Sequence, residues 1–119
     1  MSIRRLMVAL AVVATAIGIT ASSVLGAQSQ TQKTTVKVTA FDLGFRLSVK
    51  KAPHGIVWFV VKNTGGIKHD FKIAGKKTPL LAHNKTYTLK VTLKKGKYTY
   101  MCTVPGHAAG GMKGTFTAT

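Results

Sequence analysis

Ile56-Val57-Trp58-Phe59-Val60-Val61-Lys62-Asn63-Thr64-Gly65-Gly66 places six consecutive apolar residues ahead of a turn-forming cluster. A short run that is apolar on both faces fits a strand in the middle of a sandwich, and Trp58 reads as core. Upstream, Ala52-Pro53-His54-Gly55 punctuates a turn. Before it, Thr35 to Ala40 alternates Val36, Val38 and Ala40 against Lys37 and Thr39, and Phe45 to Val49 repeats the pattern with Phe45, Leu47 and Val49 on one face. Downstream, Asp70 to Ile73 reads as a short strand and a loop runs through Pro79. Thr86 to Leu93 then alternates, Lys94-Lys95-Gly96 turns the chain into Lys97 to Cys102, and Gly114 to Thr119 supplies a last strand. About seven short strands separated by turn signals predict an all-β chain, a Greek-key antiparallel β-sandwich. No long amphipathic helix, internal repeat or low-complexity tract interrupts the pattern.

The first thirty residues are of a different kind. Arg4 and Arg5 precede an uncharged, mostly apolar stretch from Leu6 to Ala27, the pattern of a secretory signal, with cleavage fitting best after Gly26. The expected organisation is a signal segment over 1–26, a short polar tether over 27–33 and one domain over 34–119, placed in the periplasm or outside the cell. The alternative is an uncleaved membrane tether, since the apolar stretch approaches the ~20 residues that span a bilayer. The 119 residues carry eighteen Lys and Arg against two acids, a formal charge of +16. Without Arg4 and Arg5 the domain keeps about +14, so the basicity belongs to the folded part and points towards acidic partners. A single cysteine, Cys102, excludes an intramolecular disulfide framework.

The chemistry lies in Cys102-Thr103-Val104-Pro105-Gly106-His107-Ala108-Ala109-Gly110-Gly111-Met112, where a thiolate, an imidazole and a thioether recur at five-residue steps. Such a loop can wrap around one ion. A thiolate with two imidazoles and a weak axial thioether is the ligand chemistry of blue-copper electron-transfer centres. His69, which follows the Gly65-Gly66 turn and precedes a strand, is the candidate for the second imidazole. His54 in a Pro-His-Gly turn and His83 in a polar loop read as solvated turn residues.

The chain resembles the cupredoxin family, and especially its plastocyanin-like members. The likeness lies in Val60-Val61-Lys62-Asn63-Thr64-Gly65, in Lys68-His69-Asp70-Phe71, in Gly96-Lys97-Tyr98-Thr99-Tyr100-Met101-Cys102 and in the Cys102 to Met112 loop. The resemblance implies one copper ion (Cu2+/Cu+) held tightly by His69, Cys102 and His107 and completed from further away by Met112. It also implies that the Tyr98 hydroxyl ties down a Greek-key corner. Asp70 stands where many relatives have asparagine. Its carboxylate is expected to accept a hydrogen bond from the Thr103 hydroxyl, pinning the ligand loop and lowering the reduction potential by favouring the cupric site.

Each residue also has a plainer role open to it. Cys102 alone would be a buried small hydrophobe, and Met112 alone a filler of core gaps. The lysine pairs at 50 and 51, 76 and 77, and 94 and 95 read as a solvated rim. It is the combination at these spacings that favours copper. The expected function is an exported carrier of single electrons between redox partners with acidic docking surfaces. The protein is expected to be a monomer, to bind no nucleic acid and to have no stable membrane insertion after cleavage. Electrons would pass at His107, through a small apolar patch of Pro105, Ala108, Ala109 and Gly110. Two other classes compete: a protein that stores, delivers or senses copper without electron transfer, and a metal-free basic β-sandwich that binds an acidic polymer. An enzyme is disfavoured because three strong ligands and Met112 leave no open position for substrate.

Overall fold

The computed structural model of the chain describes residues 33–119, together with Gly18 alone before them. Apart from Gly18, the signal segment lies outside the described residues, as does all of the tether but its last residue. Nine strands follow in order: β1 (Thr34–Phe41), β2 (Gly44–Leu47), β3 (Lys51–Ala52), β4 (Gly55–Asn63), β5 (Lys72–Ile73), β6 (Lys76–Lys77), β7 (Thr86–Leu93), β8 (Gly96–Met101) and β9 (Lys113–Ala118). They form two sheets, ordered β2-β1-β4-β7 and β3-β9-β8-β5-β6.

Alternation decides which side chains meet between the sheets. In β1, Val36, Val38 and Ala40 point inward, and in β4 Val57, Phe59 and Val61 do the same, each nearly inaccessible to solvent. The opposite sheet contributes Ile73, Tyr100 and Phe116, and Phe71 enters from the segment before β5. Phe59 meets Phe116 edge to face with ring centroids 5.4 Å apart, and Phe45 meets Phe71 likewise at 5.3 Å, geometry that adds to the area these rings bury. The Tyr98 hydroxyl donates to the Lys94 carbonyl at 2.7 Å, closing the corner between β7 and β8 as the resemblance implies.

The β-sandwich agrees with the sequence reading, while four details differ. Two pairings are parallel, β1 with β4 and β3 with β9, so the sheets are mixed rather than purely antiparallel. Trp58 is not core: β4 buries only its odd-numbered side chains, and Trp58 lies half-buried on the outer face of its sheet. There the ammonium groups of Lys33 and Lys90 sit 5.0 and 5.2 Å from the indole ring centre, so alkyl stems and cations cover it in place of a second layer. Val49 lies past the end of β2 and is exposed, since only Phe45 and Leu47 remain on the inward face. Strands β3 and β6 were not expected, because two residues carry no readable period. Lys76 and Lys77 form β6, a charged edge that discourages pairing with another chain.

Parallel pairing of β1 and β4 sends both strands towards the same end of the sandwich. β5 begins where antiparallel β8 ends, with Lys72 opposite Met101. The connections β1–β2, β4–β5 and β8–β9 therefore cluster at that end, and every candidate ligand lies in one of them.

Candidate metal centre

Residues 102–112 form the β8–β9 connection. The Cys102 N–H donates to the Met112 carbonyl at 3.0 Å, closing the loop at its base, and the Met112 N–H donates to His107 O at 3.0 Å. Between them a compact turn runs through Gly110 N–H to Gly106 O at 3.0 Å. Gly111, at φ +121°, takes a conformation closed to most side chains and reverses the chain into Met112. Cys102 and Met112 are both buried and share a small apolar cluster with Ala40, against which Phe45 and Val104 pack.

The β4–β5 connection delivers His69. Asn63, fully buried, organises that segment: its amide donates to the carbonyls of Ile67 and Leu81, each at 2.8 Å, and its Oδ1 accepts the Gly65 N–H at 2.8 Å. His69 and Leu81 exchange backbone hydrogen bonds of 3.2 and 2.8 Å, which fixes the His69 backbone. Its ring is fully buried.

The three donors converge. His69 Nδ1 lies 3.1 Å from His107 Nδ1, Cys102 Sγ lies 3.5 Å from His107 Nδ1, and one ligand atom from each residue falls within 4.8 Å of the others. Donors in a plane about 2.0–2.3 Å from one ion stand roughly 3.5–4 Å apart, so this cluster accepts a first-row metal with little adjustment. Burial pushes the Cys102 thiol above its ordinary pKa in the metal-free protein, so a metal entering here displaces that proton. His107 is half-buried while His69 is sealed, which leaves His107 as the ligand nearer to solvent. His69, Cys102, His107 and Met112 are thus positioned for one copper ion, with a soft thiolate, two imidazoles and a thioether as the donor set.

Two carboxylates brace the cluster. Asp70, almost fully buried, accepts the Thr103 N–H on Oδ1 at 2.6 Å and the Thr103 hydroxyl on Oδ2. Asp42, in the β1–β2 connection, accepts His69 Nε2–H on Oδ1 at 2.6 Å and the Gly66 N–H on Oδ2 at 2.8 Å. These contacts hold its carboxyl below the usual carboxylate range, the His69 hydrogen bond most of all. The sequence reading missed Asp42. The available signal was scarcity, since Asp42 and Asp70 are the only two acids in the chain. His54 and His83 stand outside the cluster: each ring Nδ1 meets a carbonyl, that of Thr119 at 2.7 Å and that of Gly65 at 2.8 Å. Pro105, Ala109 and Gly110 are exposed around His107 and Ala108 is half-buried, and exposed Leu43 reaches the loop from the β1–β2 turn at Gly110.

Known proteins share this fold. Reduced auracyanin from Roseiflexus castenholzii is 24% identical, the match covering 72% of this chain and 97% of that one with a TM-score of 0.63. Auracyanin A, a "blue" copper protein from Chloroflexus aurantiacus, is 19% identical over 74% of this chain and all of its own, at 0.62. Rusticyanin from Thiobacillus ferrooxidans is 24% identical over 73% of this chain and 77% of its own, at 0.63. At these identities the likeness establishes the fold. No curated protein matches the chain. Residues 20–119 match the model of the copper binding proteins of the plastocyanin/azurin family, so the chain belongs to that family.

Proposed function

We propose that the protein is an exported carrier of single electrons. The observation that carries this reading is the convergence of His69 Nδ1, Cys102 Sγ and His107 Nδ1 at the end of the sandwich where buried Met112 also lies. Bound there, copper supplies a one-electron couple between Cu2+ and Cu+. The rest falls to the chain. His69, Cys102 and His107 are the strong ligands and Met112 is the axial one. Sealing His69, Cys102 and Met112 from solvent fixes the donors in place, and small rearrangement between oxidation states makes transfer fast. With these four positions filled, no site is left for a substrate, which separates a carrier from an enzyme.

His107, half-buried among Pro105, Ala108, Ala109 and Gly110, is the exchange point. Small side chains let a partner's redox centre approach, and a small interface suits a shuttle that must release its partner. Leu43 extends the apolar patch. Lys68 and Lys113, next to the ligands in sequence and exposed, join the basic domain in steering acidic redox partners. The Arg4–Ala27 pattern supports export with cleavage near residue 26, and the functional unit is a monomer.

Titration of the metal-free protein with one equivalent of Cu(II) tests the centre. An intense thiolate-to-copper band that bleaches with ascorbate and is lost in Cys102→Ser and His69→Ala is expected. A folded, copper-supplied wild type without such a band overturns the reading. Reduction by an acidic redox protein is expected to slow as salt rises, because exposed charges are screened over about 10 Å at 0.1 M ionic strength. A salt-independent rate removes the steering.

A further inference from the structure

We propose that Asp42 is a positioning residue for the copper centre. Its carboxylate holds His69 with Nε2 protonated and Nδ1 free to face the metal, and it sets a negative charge one imidazole ring away from the ion. The inference rests on the copper site proposed above and adds a residue outside its four ligands.

Three observations lead there. The His69 ring is wholly buried, so its Nε2–H needs an acceptor within the protein, and Asp42 Oδ1 at 2.6 Å is that acceptor. The opposite ring nitrogen, Nδ1, is the one that faces His107 and Cys102, so the hydrogen bond to Asp42 selects the tautomer a metal requires. Finally, the approach is built into the neighbouring loop. Gly66 N–H anchors the second carboxylate oxygen at 2.8 Å, and a Cβ at Gly65 would overlap Asp42 Oδ1. Gly65 adopts a backbone conformation open to other residues, so the carboxylate is the principal obstacle to a side chain there.

A carboxylate that merely capped the Gly65–Ile67 turn would need only the Gly66 contact. Asp42 spans both, joining an exposed turn to a sealed ligand. Its charge favours the more positive oxidation state of the ion, so it lowers the reduction potential, while its orienting role is separable because asparagine keeps an acceptor and loses the charge.

The experiment compares wild type with Asp42→Asn, Asp42→Ala, Asp42→Glu and Gly65→Ala, after circular dichroism shows each to be folded. In the copper-loaded protein, Asp42→Asn is expected to raise the potential by an amount corresponding to roughly a tenfold shift in the Cu(II)-to-Cu(I) binding ratio, about 59 mV for one electron. Asp42→Glu is expected to recover most of that shift. In the metal-free protein, histidine 15N shifts are expected to show His69 as the Nε2–H tautomer in wild type, with mixed tautomers in Asp42→Ala and in Gly65→Ala. An Nδ1–H tautomer in wild type, or potentials equal to wild type in both Asp42→Asn and Asp42→Ala, overturns the proposal. A wild type without the thiolate-to-copper band overturns the electron-carrier reading instead, and the metal-free tautomer still decides the part played by Asp42.

Discussion

Thr103 donates twice to Asp70, its N–H to Oδ1 at 2.6 Å and its hydroxyl to Oδ2, across 33 residues of sequence. Asp70 follows His69 and Thr103 follows Cys102, so this contact fastens the two ligand segments together directly beside the metal donors. Asp70→Ala leaves the Thr103 N–H without its acceptor, at about 1–3 kcal/mol for a buried unsatisfied donor. Urea unfolding is expected to show that loss. Asp70→Asn, which retains an acceptor, is expected to lose less stability and to raise the reduction potential in cyclic voltammetry, because the buried negative charge is gone. Equal stability losses in the two variants would mean that one neutral acceptor cannot replace the carboxylate, and no loss in either would mean that the contact adds nothing to stability.

Asn63 supplies the corresponding brace on the His69 side. Asn63→Ala removes two donated hydrogen bonds and one accepted bond in a fully buried position, leaving the Ile67 carbonyl and the Gly65 N–H to find other partners and the Leu81 carbonyl with the His69 N–H alone. At about 1–3 kcal/mol per buried unsatisfied group, a loss on the order of 3 kcal/mol or more is expected. Copper affinity is expected to fall with it, measured by competition with a chelator, since Leu81 also pairs with the His69 backbone. Unchanged affinity in a destabilised Asn63→Ala would mean that the His69 backbone is held by β-bridging alone.

How much of this could be read from the chain depends on how local each feature is. Cys102, His107 and Met112 lie on one loop, so their spacing alone suggested a shared ion, whereas His69, 33 residues upstream of Cys102, was picked out by its place between a turn and a strand, and the resemblance then implied the same residue. Asp42 gave no local sign: it meets His69 only because parallel pairing of β1 with β4 brings their ends together, and pairing direction is not written in the alternation of either strand. The same alternation marked which faces of β1 and β7 are inward. It failed at Trp58, where lysine stems stand in for a second layer and an apolar run no longer means two buried faces.

Metal binding and folding are linked through the same donors. An ion that binds only the folded chain stabilises it by about 2.7 kcal/mol at a free concentration one hundred times its dissociation constant. For a domain of this size that corresponds to a rise in Tm on the order of 10 °C or more. Scanning calorimetry of metal-free and Zn(II)-loaded protein is expected to show such a rise without any redox chemistry, and Cys102→Ser is expected to lose most of it. A rise of the same size in Cys102→Ser would place the metal elsewhere on the chain.

Tyr100 gives the fold a measurable alkaline limit. Its ring is buried between Phe45 and Phe71, with centroids 5.9 and 5.6 Å away, and burial pushes the phenol above its ordinary pKa of about 10. Above that value the unfolded chain releases the Tyr100 proton while the folded chain retains it, so folding binds more protons and stability must fall as pH rises. The contribution is therefore complete below pH ~10 and declines between the unfolded value and the raised folded one, by up to about 1.4 kcal/mol per pH unit. Tyr100→Phe keeps the ring contacts and cannot ionise, so urea midpoints measured from pH 8 to 11 are expected to fall more steeply in wild type than in the variant. Parallel curves would mean that the phenol ionises as readily in the folded protein as in the unfolded chain, and that other groups set the alkaline limit.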